Sequence, residues 1–524
     1  MFNKKKREEK VMKFSKKILP MVLAMAMVPV MSMPAFADGT NEETVQAGTH
    51  TITINNATGT YKAYQIFKGD LSEDKTKLSN IQWGNGVNPF AYNSKTDAKD
   101  IADSLNNGSD ADAQAFAEEA HKNIKTNAES KSVEAKNGCA VLDGLEAGYY
   151  IIENSKVGTG ESVSRYILQV TKDKAVNNKV AVPTFEKKLK DKNDTTGEIT
   201  DWQDSADYDI GDDIPFKLEG VVASNYADYK GDYKFVFHDI EEQGLQFKPD
   251  SVNVYVDGNP INAGEGTYQL QTSPTDKCTF DITFPNLKNI KDENNNNLVQ
   301  AGSKITVEYK STLLETAVLG NQGNVNKAKL QFSNNPNNTQ GGNNTPTGET
   351  PWDNVIVFTY MVEVNKVDQD NNALSGANFK LEKKVPGENN WELVKEIKDT
   401  DKTKFEFKGL DDGDYKLTET KTPDGYNTID PITFTVTATH DIEWTTKLRT
   451  EVLTEFKGDK VSGNITLTAS KEEGKLSMNV VNKSGSLLPE TGGIGTTIFY
   501  IVGVVLVLGA GVLLVTKKRM NADK

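Results

Sequence analysis

The chain of 524 residues is 26% charged and 36% hydrophobic, with a mean hydropathy of −0.55, which is too long for one core and too polar for a multi-pass membrane protein. With residues 1–37 and 492–524 set aside, 48 Lys and Arg stand against 71 Asp and Glu, a net charge of −23 that repels phosphates and excludes nucleic acid as a partner. His50, His121, His238, His440, Cys139 and Cys278 occur singly, so no metal-ligand spacing, cofactor site, disulfide framework or Cys/His catalytic pair is expected, and the two thiols read as small buried hydrophobes.

The N-terminus opens with eight cations, continues with an apolar run over residues 18–31, and reaches Ala35-Phe36-Ala37 before Asp38. This is the layout of a secretory signal peptide, residues 1–37, cut after an A-x-A site.

The body is then built of short alternating runs separated by Gly, Asn, Asp and Pro, as at residues 51–54, 149–153, 234–237, 305–309 and 432–436. Period-two patterning with turn punctuation predicts β-sandwiches. A helical stretch rich in Ala, Asp and Glu over residues 98–124 reads as an insertion in the first of them. Composition sets the expected boundaries. Val182-Pro183 closes the first domain, and the polar, Asn-rich linker 333–350 separates the second from the third, giving 48–182, 183–350 and 351–483.

Successive side chains of a strand alternate faces, so apolar neighbours reveal which way a charged residue points. In the first domain Tyr149, Ile151 and Glu153 share a face, and Lys62 shares one with Tyr64 and Ile66, but no following strand offers an inward Asn, and Glu153 reads as structural. In the second domain Phe185, Lys187 and Leu189 share parity, which favours Lys187 over Lys188. Phe235, Phe237 and Asp239 do likewise, as do Asn326, Ala328, Leu330 and Phe332. Asp207, Asp209 and Asp213 are rival acids, disfavoured because Tyr208, Ile210, Ile214 and Phe216 take the inward positions. In the third domain the inward set is Lys366 with Val362 and Val364, Glu419 with Tyr415 and Leu417, and Asn482 with Met478 and Val480. Asp368, Asp370 and Asn372 start like a calcium loop, but Ala373 and Phe379 stand where the Gly and the terminal acid belong, so a solvated turn is expected.

A buried charge is costly unless it is paired, neutralised or used. Desolvation lowers a Lys pKa and raises that of a carboxyl group, leaving a neutral amine beside a protonated acid. Such an amine can attack the side-chain amide carbon of Asn while the acid polarises the carbonyl and moves protons; the products are an isopeptide bond and ammonia. Loops of 139 and 116 residues would close in the second and third domains. By analogy with disulfides each closure adds about 4–5 kcal/mol.

The segment Tyr415-Lys-Leu417-Thr-Glu419-Thr-Lys-Thr-Pro423-Asp-Gly425-Tyr426 resembles the E-box of collagen-adhesin B-type domains and Gram-positive pilins. The Lys187, Asp239 and Asn326 set is similar to their A-type domains. The resemblance implies a mainly β chain of three tandem immunoglobulin-like β-sandwiches, with Glu419 and Asp239 promoting Lys366–Asn482 and Lys187–Asn326 bonds.

At the C-terminus Leu488-Pro489-Glu490-Thr491-Gly492 precedes an apolar run over residues 494–515 and then Lys517, Lys518 and Arg519. The run is long enough to span a bilayer, and the trailing cations hold its end on the cytoplasmic side. In this order the elements of residues 488–524 closely resemble a Gram-positive cell-wall sorting signal, which implies a sortase that cuts between Thr491 and Gly492 and passes the chain to an amine. The whole resembles a sortase-assembled fimbrial shaft subunit, whose implied partners are pilus and housekeeping sortases, copies of itself and peptidoglycan. The acceptor lysine of such fibres sits in a V-Y-P-K motif, which this chain lacks; Lys179 lies nearest the expected place and Lys174 second. The alternative is a monomeric wall-anchored adhesin or minor pilin that binds a host or cell-surface ligand, and an enzyme acting on external substrates ranks third.

Overall fold

The computed structural model describes residues 49–485 and 494–520, apart from residues 107, 129, 159, 179, 180, 340, 445–447 and 464. The expected signal peptide, Lys179 and the motif residues Leu488, Pro489, Glu490, Thr491 and Gly492 lie outside the described residues.

The fold is mainly β, with three sandwiches in succession. In the first, the sheet that carries Thr60–Leu71, Gly148–Lys156 and Arg165–Val170 has both faces covered. Tyr61, Ala63, Tyr150 and Ile152 pack toward the smaller sheet of His50–Asn55, Cys139–Leu145 and Lys174–Asn177. Ile66, Phe67 and Ile151 meet the inserted helices through Ile101 and Phe116. The single helical stretch expected at 98–124 is two helices, Ala98–Leu105 and Asp110–Lys122. The second begins anew because Ser109 and Asp112 form a reciprocal capping box that satisfies its first amides.

The second sandwich pairs a five-stranded sheet with a seven-stranded one. Asp213–Val221 shows why these segments are strands: Ile214, Phe216 and Leu218 are buried, while Asp213, Lys217 and Glu219 alternate with them toward solvent. The third sandwich packs a four-stranded sheet, in which the first strand Tyr360–Val367 lies parallel to the last, Lys475–Val481, against a five-stranded one.

One expected boundary is corrected. Asp353–Phe358 does not open the third sandwich; it pairs antiparallel with Asn324–Ser333 and parallel with Ser205–Asp207, inside the second. Val355 and Val357 fill the second core, whereas Ile356 and Phe358 fill the third. An unbroken apolar run is what a strand covered on both faces requires. The polar segment before it is therefore an excursion of the second sandwich, and the handover falls at Thr359.

The second and third sandwiches also meet through polar groups, some buried and some half-exposed. Lys383 Nζ lies 2.6 Å from Asp194 Oδ2 and 2.7 Å from Asp209 Oδ2. The Arg449 guanidinium grips the Glu242 carboxylate with two bonds of 2.9 Å. Beyond the sandwiches, Ile494–Met520 is a helix whose stretch Thr497–Arg519, with an 18-residue window of mean hydropathy 2.9, is long and apolar enough to cross a membrane.

Candidate functional site

Two polar clusters lie within otherwise apolar cores. In the second sandwich Lys187 on Thr184–Leu189, Asp239 on Phe235–Glu241 and Asn326 on Asn324–Ser333 are all 0% exposed. Lys187 Nζ lies 2.5 Å from Asp239 Oδ2 and 2.6 Å from the Tyr309 hydroxyl, which donates to the same carboxylate oxygen at 2.8 Å. The Asn326 amide donates to Tyr309 Oη at 2.9 Å and to Glu241 Oε1 at 3.3 Å. The Ser311 hydroxyl also donates to Glu241 Oε1. The rings of Phe216 and Tyr309 each sit 5.3 Å from the amine, and Lys187 is fully buried between them.

This environment decides the protonation states. Burial lowers the Lys187 pKa against the pull of Asp239, and burial raises that of Asp239. Burial, with the neighbouring Asp239 charge, pushes Glu241 up to about 8. Among the described residues Asp239 Oδ1, Glu241 Oε2 and Asn326 Oδ1 have no hydrogen-bond partner, so the cluster still holds open acceptor positions. Tyr309, Glu241 and Ser311 were not singled out from the sequence. Glu241 carries the same inward parity as Asp239, and this was the available signal.

In the third sandwich Lys366 is 1%, Glu419 6% and Asn482 0% exposed. Lys366 Nζ donates to the carbonyls of Val367 and Val480 at 3.1 Å each. The Asn482 backbone amide donates to the same Val367 carbonyl at 3.1 Å, so the parallel pairing of first and last strands brings the Lys366 amine and the Asn482 backbone to one carbonyl. The Asn482 side-chain amide donates to Glu419 Oε2 at 3.0 Å and to the Asn427 carbonyl at 2.6 Å. Burial lowers the Lys366 pKa to about 8, opposed by the Glu419 charge. Glu419 Oε1 and Asn482 Oδ1 are unpartnered.

The other candidates fall elsewhere. Glu153 accepts from Arg165 Nε at 3.2 Å and lies 2.8 Å from His121 Nδ1, so it is a satisfied structural acid, and Lys62 is half-buried. Among the rival acids, Asp209 pairs with Lys383, Asp213 with Lys248 at 2.6 Å, and Asp207 lies 3.5 Å from His440 Nε2. Asp368 Oδ1 accepts from the amides of Asp370 and Asn372 at 2.8 and 2.9 Å in an exposed turn. Lys174 is exposed on Lys174–Asn177.

Spacing along the chain does not show which of the scattered His and Cys the fold brings together. His238, Asp276, Cys278 and Asp281 converge, with one possible ligand atom from each within 4.8 Å of the others, because strand pairing sets His238 directly opposite Asp281. Burial and the adjacent Asp276 push the Cys278 thiol up to about 12, so the sulfur keeps its proton unless a cation sits beside it.

Residues 360–449 match the prealbumin-like fold domain family, and residues 480–522 match the LPXTG cell wall anchor motif. The chain thus carries a cell-wall anchor. It is 25% identical over 267 residues to the trypsin-resistant surface T6 protein of Streptococcus pyogenes serotype M6; the match covers 41% of this chain and 48% of that protein, so the chain spans about half the length of its curated relative. The T6 backbone pilin structure of the same serotype, described as modular and three-domain, has a TM-score of 0.54 at 17% identity, covering 84% of this chain and 99% of that one. The major pilin SpaD of Corynebacterium diphtheriae has a TM-score of 0.47 at 17% identity, with 85% and 99% covered. The T6 likeness establishes a shared fold.

Proposed function

We propose that the chain is the shaft subunit of a covalently polymerised fimbria on a Gram-positive cell surface, stiffened by two self-made isopeptide bonds, Lys187–Asn326 and Lys366–Asn482. The observation that carries this reading is the pair of buried Lys, acid and Asn clusters, each tying the first strand of a sandwich to a late one, on a chain that ends in a wall-anchor motif.

Desolvation leaves the Lys amine neutral and its lone pair free. Nζ attacks Asn Cγ, the protonated acid stabilises the developing oxyanion, and the acid then carries a proton from Nζ to Nδ2. The Cγ–Nδ2 bond breaks, ammonia leaves, and the new Nζ–Cγ amide remains. In the second sandwich Asp239 faces the amine and Glu241 the amide, so the proton has a short route between them. Rotation of the Asn326 amide about Cβ–Cγ turns Oδ1 toward protonated Glu241. In the third sandwich Glu419 alone serves both ends.

Polymerisation follows from the anchor. A pilus sortase cleaves between Thr491 and Gly492 and joins the Thr491 carbonyl to a lysine of the next copy, for which Lys179 is the first candidate and Lys174 the second. A housekeeping sortase finally joins the fibre to peptidoglycan.

The test is the intact mass of residues 38–491, denatured. Each bond removes one ammonia, about 17 Da, so a deficit of about 34 Da is expected, shrinking by one step in Asp239→Ala and by one in Glu419→Ala. Full mass in the unaltered chain overturns the crosslinks. A ladder of covalent multimers on producing cells supports the shaft, and a single anchored band supports the adhesin.

A further inference from the structure

We propose that His238, Asp276, Cys278 and Asp281 form a binding site for one divalent transition-metal cation of the zinc class, on the outer face of the second sandwich. The site is built by strand register. His238 points away from the core because Phe237 and Asp239 point into it, and its cross-strand partner is Asp281. Cys278 and Asp276 come from the turn that leads into Phe280–Phe284. The Asp276 side chain is fixed there by accepting the Cys278 amide at 3.0 Å.

The imidazole is over-supplied with acceptors on one side. His238 Nδ1 lies 2.8 Å from Asp281 Oδ1, 2.9 Å from Asp276 Oδ2 and 4.0 Å from Cys278 Sγ. One N–H can point at only one of them, so the second carboxylate oxygen is left facing the nitrogen without a proton between them. His238 is 8% exposed, and among the described residues its Nε2 has no hydrogen-bond partner, so its polar contacts all lie on the Nδ1 side. A cation on the Nδ1 lone pair satisfies all four groups together.

The donor set selects the metal. One imidazole nitrogen, one thiolate and two carboxylate oxygens suit tetrahedral zinc, whereas calcium and magnesium take oxygen and leave sulfur aside. Bond lengths of zinc sites put ligand atoms roughly 3.3–3.7 Å apart, so the carboxylates need only spread and the sulfur close by under an ångström. On binding, the thiol proton leaves to solvent and the imidazole proton moves to Nε2. His238, Cys278 and Asp281 are buried, and the Asp276 side chain, 41% exposed, gives the ion its way in.

The experiment is a Co2+ titration of the full chain, purified in detergent and stripped with a chelator. One equivalent is expected to bind with a thiolate-to-cobalt charge-transfer band that Zn2+ abolishes and that Ca2+ at the same concentration leaves intact. Cys278→Ser is expected to remove the band, and Cys139→Ser to keep it. Asp276→Asn, at an exposed turn that tolerates change, weakens binding by about tenfold or more, at least the loss typical of an outer-shell partner. Failure of the unaltered chain to bind, a band that survives Cys278→Ser, or unchanged affinity in Asp276→Asn overturns the site.

Discussion

Glu241 lies two residues beyond Asp239 on the same face of one strand, and its Oε1 is 3.3 Å from the amide nitrogen of Asn326. The second sandwich thus divides between two acids what the third asks of Glu419. Because burial and the Asp239 charge hold Glu241 near 8, it is protonated at neutral pH and acts as a hydrogen-bond donor. Glu241→Gln cannot pass on a proton but keeps the hydrogen-bond donor, so a smaller slowing of the mass loss is expected than in the alanine variant. Glu241→Ala removes it and slows the loss by about tenfold or more, as deletion of a general acid does. Time-resolved mass spectrometry after refolding reads both.

The third sandwich offers a pH test once its bond is blocked. In Asn482→Ala the amine of Lys366 stays free, with a folded-state pKa of about 8 caused by burial. Unfolded, it holds its proton up to about 10.4. Between these values the unfolded chain binds more protons, so stability rises with pH through that window, by on the order of 3 kcal/mol at most. Urea midpoints at pH 7.5 and 9.5 measure the rise, and adding Lys366→Met is expected to flatten it.

Acid is expected to strengthen the junction of the second and third sandwiches. Burial and the nearby Asp207 push Asp191 and Asp412 up to about 7, and Asp411 well above the usual carboxylate range. Burial works against the charge of His440, but contact with Asp207 and Asp191 raises its pKa all the same. Above about pH 4 the folded carboxylates keep protons that unfolded ones release, so stability falls as pH rises toward 7. The raised His440 adds a contribution present below about 6.5 that is lost as pH rises through its folded value, so the two effects share a sign. Lys383 stays charged among Asp194 and Asp209 throughout. The urea midpoint is expected to be higher at pH 5.5 than at pH 8, with a smaller gap in Asp191→Asn and Asp412→Asn.

Close backbone approach at the same junction makes Gly320 irreplaceable. Its φ is +74°, and a Cβ there would sit 2.4 Å from both the Glu472 carbonyl oxygen and the Gly474 nitrogen. Gly320→Ala is expected to cost roughly 2–4 kcal/mol from left-handed strain plus overlap. Gly342, at φ +62° with open space around it, serves as the control at roughly 1–2 kcal/mol. Thermal unfolding compares the two.

At the anchor, Thr491→Ala is expected to leave the chain in the membrane fraction, held by the Ile494–Met520 helix, with no wall-linked form after muralytic digestion.

Much of this arrangement could be read along single strands. Alternation marks the faces of Asp213–Val221 or Tyr415 to Glu419 because each segment has one wet face and one dry. What could not be read arises between strands. Tyr309 reaches Lys187 from two strands away in the same sheet, and His238 meets Asp281 only through register. The boundary was misplaced for a related reason. Polar composition marks a loop, but it does not say to which sandwich the loop belongs, and Asp353–Phe358, dry on both faces, gives no alternation to decide it.

That shared strand has a mechanical consequence. With both bonds formed, the stretch between Asn326 and Lys366, 40 positions, is the part of the path from Lys187 to Asn482 that no crosslink bypasses. It lies folded back on itself, Asp353–Phe358 zipped against Asn324–Ser333. A pull that peels Asp353–Phe358 away frees the chain between Ser333 and Tyr360, 27 positions with a contour of about 90 Å at roughly 3.3 Å per residue, while the crosslinked parts of both sandwiches stay closed. With both bonds formed, this shared strand is therefore the part of the two sandwiches expected to give way first under tension, and the crosslinked loops the last.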